Sequence, residues 1–176
     1  MTLDWRRALV ERYPHLFLRG SKGKQFAPGY PTVGDGWREL VEKAIDRIEE
    51  AGNGRIRINQ IKEKYGSLRL YFDTLQGLTR EQMAAVEDAV ALAKARSECT
   101  CERCGAQGLL YGDGAWLLVA CPPHARGQPI PVHPSFEHFR IEHAVVGGRQ
   151  VVSYQRYDRE TDSFSDIDPK SLGVEE

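Results

Sequence analysis

The spacing of apolar residues predicts three helices in the first hundred positions. Apolar side chains recur at intervals of three and four residues over about 4–13, 36–51 and 79–97, which is the period of a helix with one buried face. Pro14 ends the first helix and Thr79 is placed to cap the third. The buried stripe predicted for the second helix consists of Leu40, Val41, Ala44, Ile45 and Ile48.

Two segments alternate between apolar and polar residues instead, the period of a strand with one buried face. Residues 55–73 alternate on both sides of Tyr65-Gly66-Ser67, which predicts an antiparallel hairpin. Residues 136–157 alternate on both sides of Gly147-Gly148, a strong signal for a tight turn. The second hairpin would pair two sets of residues across its strands, Ile141 with Tyr154 and His143 with Val152.

The remaining segments are connections. Residues 19–36 are rich in glycine and contain prolines, and they predict a long loop. The residues after about Asp158 form an acidic tail that Phe164 and Ile167 would partly order. The order of elements predicts an α+β fold in which helices pack on antiparallel hairpins, with a zinc-ribbon-like module. We expect three parts, namely an α+β domain at 1–98, the zinc ribbon at 99–128, and a C-terminal hairpin with its tail at 129–176.

The cysteines carry the clearest chemical signal in the chain. Cys101 and Cys104 form a C-x2-C-G knuckle, and Cys121 and His124 repeat the two-residue spacing after sixteen intervening residues. This spacing lets two ligand atoms of each pair converge on one ion, and a hairpin between the pairs is the layout of a zinc ribbon. Cys99 lies too close to Cys101 to share one knuckle with it and is predicted to be a bystander. Four protein ligands close the coordination sphere, so we expect a single structural zinc ion.

Composition and charge narrow the choice of function without deciding it. The formal net charge of the 176-residue chain is −1, with the basic residues concentrated before position 70 and the acidic ones after it. No stretch is apolar enough to span a membrane and the N-terminus lacks the pattern of a secretory signal. We therefore expect a cytoplasmic protein that has no membrane partner.

Cations and aromatic rings in the first hairpin mark a candidate binding surface. Side chains of this kind can contact a nucleic-acid backbone and stack on bases, although the solvent face of an ordinary sheet has the same composition. The candidate residues for a partner or nucleic-acid surface are Arg55, Arg57, Lys62, Lys64, Tyr65, Arg69, Tyr71 and Trp37.

Taken together, several motifs resemble a group of small bacterial and phage proteins that has no established activity. The motifs are Tyr13-Pro14 with Phe17, Gly34-Asp35-Gly36-Trp37, the run IKEKYGSLRLY at 61–71, the C-x2-C-G knuckle, and W-x4-C-x2-H at 116–124. The resemblance covers about residues 10–125. It implies a bacterial or prophage source, a cytoplasmic location and a zinc ribbon fused to an α+β domain, and it implies no catalytic residue.

These observations favour a non-enzymatic protein that binds and modulates another protein, for example as an immunity protein for a toxin. The alternative is a nucleic-acid-binding regulator that uses the basic hairpin and the zinc ribbon. A metal-dependent nuclease or hydrolase is the least favoured class. It would need His133, His138 and His143, and residues five apart in a strand point to opposite faces.

Overall fold

A computed structural model of the chain describes residues 4–21, 23–133, 137–168 and 170. The chain forms two compact units, Met1–Pro129 and Ile130–Glu176. The fold is α+β, as predicted, with helices packed on antiparallel hairpins and a ribbon-like module that carries the cysteines. Residues 99–128 belong to the first unit, so their expected independence as a separate module stays a prediction. In the ranges that the structure describes, no helix is both long and apolar enough to cross a bilayer.

Three helices of the first unit follow the predicted apolar stripes. Asp4 accepts a hydrogen bond from the backbone N–H of Arg6 and so caps the first of them. The five stripe residues of the central helix are all buried, and this helix ends at Asn53, whose φ of 46° is the left-handed conformation that closes a helix. The helices are α1 (Trp5–Arg12), α2 (Pro14–Phe17), α3 (Arg38–Gly52) and α4 (Arg80–Ser97).

The predicted loop at 19–36 is wrong in part, because the structure contains a short hairpin within it. Strands β1 (Arg19–Ser21) and β2 (Lys24–Phe26) pair antiparallel around a turn in which Gly23 has a φ of 76°. Strands of three residues are too short for their alternation to be read from the sequence. At the other end of this segment, Asp35–Trp37 forms a 3-10 turn that leads into α3.

The hairpin predicted at 55–73 consists of β3 (Ile56–Lys64) and β4 (Ser67–Thr74). Tyr65 and Gly66 form its two-residue turn with φ values of 56° and 73°, which is the left-handed pair that matches the twist of a hairpin. A bulge interrupts the register between Ile58 and Gln60, so that Ile61 becomes the next buried residue of β3.

Helix α4 closes the core of the first unit over the hairpin. Its start is a capping box in which Thr79 and Gln82 each accept a hydrogen bond from the other's backbone N–H. Val86, Ala89 and Ala93 are buried against a single apolar cluster that also contains the stripe of α3 and the inner face of the hairpin.

Trp37 corrects one sequence prediction, because it is not part of a partner surface. Its side chain is completely buried, and its indole Nε1 donates a 2.7 Å hydrogen bond to the carbonyl oxygen of Thr100. The 3-10 turn before α3 directs the ring into the core.

The second unit contains a three-stranded antiparallel sheet in the order β10-β9-β8. Strands β8 (Phe139–Val146) and β9 (Arg149–Asp158) have the predicted register, with Ile141 opposite Tyr154 and His143 opposite Val152. The third strand, β10 (Ser163–Asp166), comes from the predicted tail, and its Phe164 contacts the buried ring of Tyr157. The end of the tail, residues 171–176, lies outside the described residues.

We predict that Trp37→Phe lowers the free energy of unfolding by roughly 2–4 kcal/mol, because it leaves a buried carbonyl without its donor and opens a void. The matched control is Trp5→Phe. Trp5 is also buried, so its variant opens a void too, but its indole donates to Asp35, whose carboxylate is 74% exposed and can bind water instead. A smaller loss of roughly 1–2 kcal/mol is therefore expected. Urea unfolding of the metal-loaded protein measures both values, and equal losses would contradict the assigned role of Trp37.

Candidate metal centre

The first pair of cysteines lies in a tight turn after α4. The backbone N–H of Gly105 donates to the carbonyl oxygen of Cys101 at 2.9 Å, and the N–H of Cys101 donates to Ala106 at 2.8 Å. Gly105 has a φ of 79°, a conformation that residues with a Cβ rarely adopt. The turn therefore brings Cys101 and Cys104 to one side of the chain.

A hairpin carries the second pair of ligands to the first. Strands β5 (Leu109–Asp113) and β6 (Trp116–Ala120) pair antiparallel, and a third short strand, β7 (Gln128–Pro129), pairs with β5. Cys121 follows β6 directly. The 3-10 turn Pro122–His124 then folds back, held by a 2.9 Å hydrogen bond from the His124 N–H to the Cys121 carbonyl oxygen.

The four predicted ligands converge. One ligand atom from each of Cys101, Cys104, Cys121 and His124 lies within 4.8 Å of all the others. The Sγ atoms of Cys104 and Cys121 are 3.5 Å apart. The Nδ1 atom of His124 is 3.5 Å from the Cys101 Sγ and 3.3 Å from the Cys121 Sγ. These residues are close enough to hold one metal ion between them.

The thiols of the cluster differ in acidity. Burial opposes ionisation of Cys101, but backbone N–H groups of Cys121, Cys104 and Arg103 outweigh it and lower the pKa of the Cys101 thiol to about 6. Burial together with the neighbouring thiols raises the pKa of Cys121 to about 11. Several thiolates at this distance repel one another, so a cation is needed for all of them to ionise together.

Cys99 lies outside the cluster. Its thiol is buried and donates to backbone carbonyl oxygens at the end of α4, with a distance of 3.3 Å to Arg96 and 3.7 Å to Ala95. The contacts of this side chain are those of a small buried residue that packs against the helix it follows.

The segment Gly34-Asp35-Gly36-Trp37 clamps the first knuckle. The N–H of Gly36 donates to the Glu102 carbonyl oxygen and the N–H of Gly34 donates to the Glu102 carboxylate, both at 2.8 Å. A Cβ atom on Gly36 would collide with the Cys101 carbonyl oxygen and with the backbone nitrogens of Cys104 and Gly105. The sequence pattern does not predict this contact, although the two glycines that flank Asp35 are a signal of close backbone approach.

Glu102 is a charged residue at the junction between the clamp and the knuckle. Burial raises the pKa of its carboxyl group, and the nearby carboxylate of Glu63 raises it further, whereas the hydrogen bond from Gly34 opposes the shift. The ionised carboxylate of Glu102 accepts a hydrogen bond from a backbone N–H, but its surroundings make ionisation less favourable than in water.

The structure brings together five of the residues predicted to form a basic surface, all near the turn of the β3–β4 hairpin. They are Lys62, Lys64, Tyr65, Arg69 and Tyr71. Lys62 lies opposite Arg69 in the register, and the two lysines on this face lie over tyrosine rings, at 5.6 Å from Lys62 to Tyr71 and 5.1 Å from Lys64 to Tyr65. The remaining two candidates are at the far end of the hairpin. Arg57 donates to the carbonyl oxygens of Gly54 and Ile56, and Arg55 lies just before β3.

The three histidines of the second unit do not form a cluster. His133 is exposed in a segment without regular structure, His138 has a φ of 54° in the turn before β8, and His143 lies opposite Val152 in the sheet. Within the ranges described, Cys101, Cys104, Cys121 and His124 form the one group of three or more such side chains placed to hold a metal ion.

Comparison with protein-family models, with curated proteins and with solved structures gives no match for this chain. The resemblance to small bacterial and phage proteins stays a prediction. The function must therefore be argued from the geometry of the metal centre and the surfaces around it.

Proposed function

We propose that the cluster binds one zinc ion through the sulfurs of Cys101, Cys104 and Cys121 and the Nδ1 of His124. A tetrahedral zinc ion with sulfur at about 2.3 Å and nitrogen at about 2.0 Å separates its ligand atoms by roughly 3.5 to 3.8 Å. Three of the six ligand separations, at 3.3 to 3.5 Å, are close to these values, and all six are within 4.8 Å. Thiolate and imidazole ligands are also those that zinc prefers.

The proposed zinc ion is structural. Catalytic zinc sites keep a position for water and have three protein ligands, whereas three cysteines and one histidine fill a tetrahedral sphere. Sites of this kind contribute about 10 kcal/mol to folding in peptide models. Here the ion would hold a ribbon with a small buried cluster of Cys101, Ala120 and Cys121, against which Tyr111, Leu118 and Ala125 are partly buried.

We further propose that the chain is a non-enzymatic binding protein. The observation that carries this proposal is that the closed cluster holds a hairpin that presents large apolar side chains to water. Trp116, at the tip of the ribbon, is 76% exposed, and Leu109 at its base is 54% exposed. Exposed aromatic residues on a rigid element are typical of sites that bind a macromolecule. A protein partner is the first candidate, and modulation of a toxin is one form that it could take.

A second candidate, nucleic-acid binding, is supported by a different observation. The cations near the turn of the β3–β4 hairpin form no ion pair with a carboxylate in the part of the chain that the structure describes. Such cations remain free to contact phosphates.

We predict one zinc ion per chain in protein purified under reducing conditions, and its loss on substitution of a ligand. Cys101→Ser and Cys121→Ser should abolish the bound metal, whereas the matched variant Cys99→Ser should retain it, because Cys99 lies outside the cluster. Metal analysis after gel filtration measures the stoichiometry. Full metal content in Cys121→Ser would contradict the ligand set.

Acidification from about pH 7 to about pH 5 should release the ion, since protons compete for the ligand atoms.

Gly36→Ala tests whether the clamp supports the metal centre. We expect metal affinity to fall by about tenfold or more and the free energy of unfolding to fall by roughly 1–3 kcal/mol, because backbone atoms of the knuckle must move. Gly20→Ala is the control, because a Cβ at Gly20 meets no atom within 4 Å. Competition with a chromophoric chelator measures the affinity. Equal metal affinity in the two variants would show that the knuckle forms without the clamp.

The binding role is tested by affinity capture with the metal-loaded chain. We expect a stoichiometric partner that Trp116→Ser no longer retains, because this exposed ring contacts little of its own protein. Retention of metal and of thermal stability in Trp116→Ser serves as the control for folding. Recovery of no stoichiometric partner of any class would contradict the proposed function.

A further inference from the structure

The outer face of the β3–β4 hairpin concentrates like charges in a way that the fold itself does not require. Lys62 and Arg69 are directly opposite one another in the register, and Lys64 follows Lys62 on the same face. Like charges directly opposite each other destabilise a sheet. Arg57, by contrast, lies opposite Asp73, so the pair of like charges directly opposite each other is at the turn end of the hairpin.

Two carboxylates near this face have hydrogen-bond partners other than its cations. Glu63 accepts a hydrogen bond from the backbone N–H of Gly66, and it lies opposite the buried Leu68. Glu98 accepts from the hydroxyl of Ser67 and forms an ion pair with Lys94. The guanidinium of Arg69 donates to the Ser67 hydroxyl, and this hydrogen bond fixes its position at the edge of the face.

Two tyrosine rings complete the surface. Tyr65 is 62% exposed and Tyr71 is 48% exposed. Each ring has a lysine ammonium near it, yet about half or more of each residue remains exposed to water. Cations and exposed aromatic rings therefore lie together at the turn end of the hairpin.

We propose that this face, formed by Lys62, Lys64, Tyr65, Arg69 and Tyr71, binds single-stranded nucleic acid. The cations would neutralise phosphates and the tyrosines would stack on unpaired bases. An acidic protein segment would use the charges alone and would gain little from the exposed rings, and the bases of a duplex are already stacked on each other. The inference rests on the proposed role as a binding protein and identifies both the surface and the class of partner.

The metal module supports the turn that carries Tyr65. A Cβ on Gly66 would lie 2.7 Å from the Leu110 side chain and 3.4 Å from that of Val119, so the turn packs closely on the ribbon strands. The proposed zinc ion orders those strands. Removal of the metal should therefore weaken nucleic-acid binding even though no zinc ligand contacts the nucleic acid.

The experiment measures the affinity of the zinc-loaded full chain for a fluorescent single-stranded DNA of about 15 nucleotides, a length that covers one binding site of this type. Binding should weaken with salt, with a slope of log K against log salt concentration of about −2, the value for three neutralised phosphates on a single strand. A duplex of equal length and a polyglutamate peptide are measured in parallel, and both should bind at least about tenfold more weakly.

Charge removal provides the first pair of variants. The triple variant Lys62→Gln, Lys64→Gln and Arg69→Gln should reduce the salt slope to near zero, because each cation contributes about 0.7 to it. The matched control removes three exposed cations elsewhere, by Lys24→Gln, Arg80→Gln and Arg149→Gln. It has the same net charge and should keep the slope.

Ring removal provides the second pair. Tyr71→Thr retains a residue that suits a strand, and Tyr65→Asn retains one that tolerates a positive φ. Each should weaken binding by about 5- to 100-fold without changing the salt slope. Phe26→Thr, which removes a half-exposed ring from β2, should have no effect.

The inference is overturned if single-stranded DNA shows no salt-sensitive binding, or if the control and test variants lose affinity equally. It is also overturned if polyglutamate binds as tightly as DNA and the tyrosine variants leave its affinity unchanged, a result that would assign the face to an acidic protein. None of these results changes the zinc content or the outcome of the affinity capture, so the inference is tested separately from the proposed function.

Discussion

The close approach of Gly36 to the backbone of the first knuckle connects the metal centre to the core of the first unit. On one side of this contact are the carbonyl and amide groups between Cys101 and Gly105. On the other side the chain continues through the buried Trp37 into α3, the helix whose apolar stripe forms the middle of the core. The position of the cysteines and the packing of the helix thus depend on each other.

This dependence gives the metal an influence beyond its own module. The N–H groups of Gly34 and Gly36 have their hydrogen-bond acceptors on Glu102, next to a ligand. If the knuckle unfolds, these donors and the Trp37 indole lose their partners in a poorly solvated region, which is more costly than the loss of a surface contact. We therefore expect the ribbon and the helical core to unfold together rather than in separate steps.

The sequence was sufficient wherever a local rule determines the structure. The apolar stripe of α3, the Thr79 capping box and the glycine turn at 147–148 each depend on residues near one another in the chain, and these elements were predicted well. The convergence of the four ligands also followed from their spacing. The burial of Trp37, the bulge after Ile58 and the third strand β10 could not be predicted, because each is determined by contacts with residues distant in sequence or by a register that alternation does not encode.

At Tyr65, the stability of the turn conflicts with the exposure of an aromatic ring to solvent. A residue with a Cβ in the left-handed conformation is less stable than glycine by about 1 kcal/mol, and asparagine tolerates that conformation better than an aromatic residue does. Selection for stability alone would replace Tyr65, because its ring is largely exposed and adds little to the core. A lineage that keeps an aromatic residue at this position would be retaining it against its folding preference. An aromatic residue at position 65 in related chains would therefore indicate that the hairpin turn is under selection for binding to another molecule.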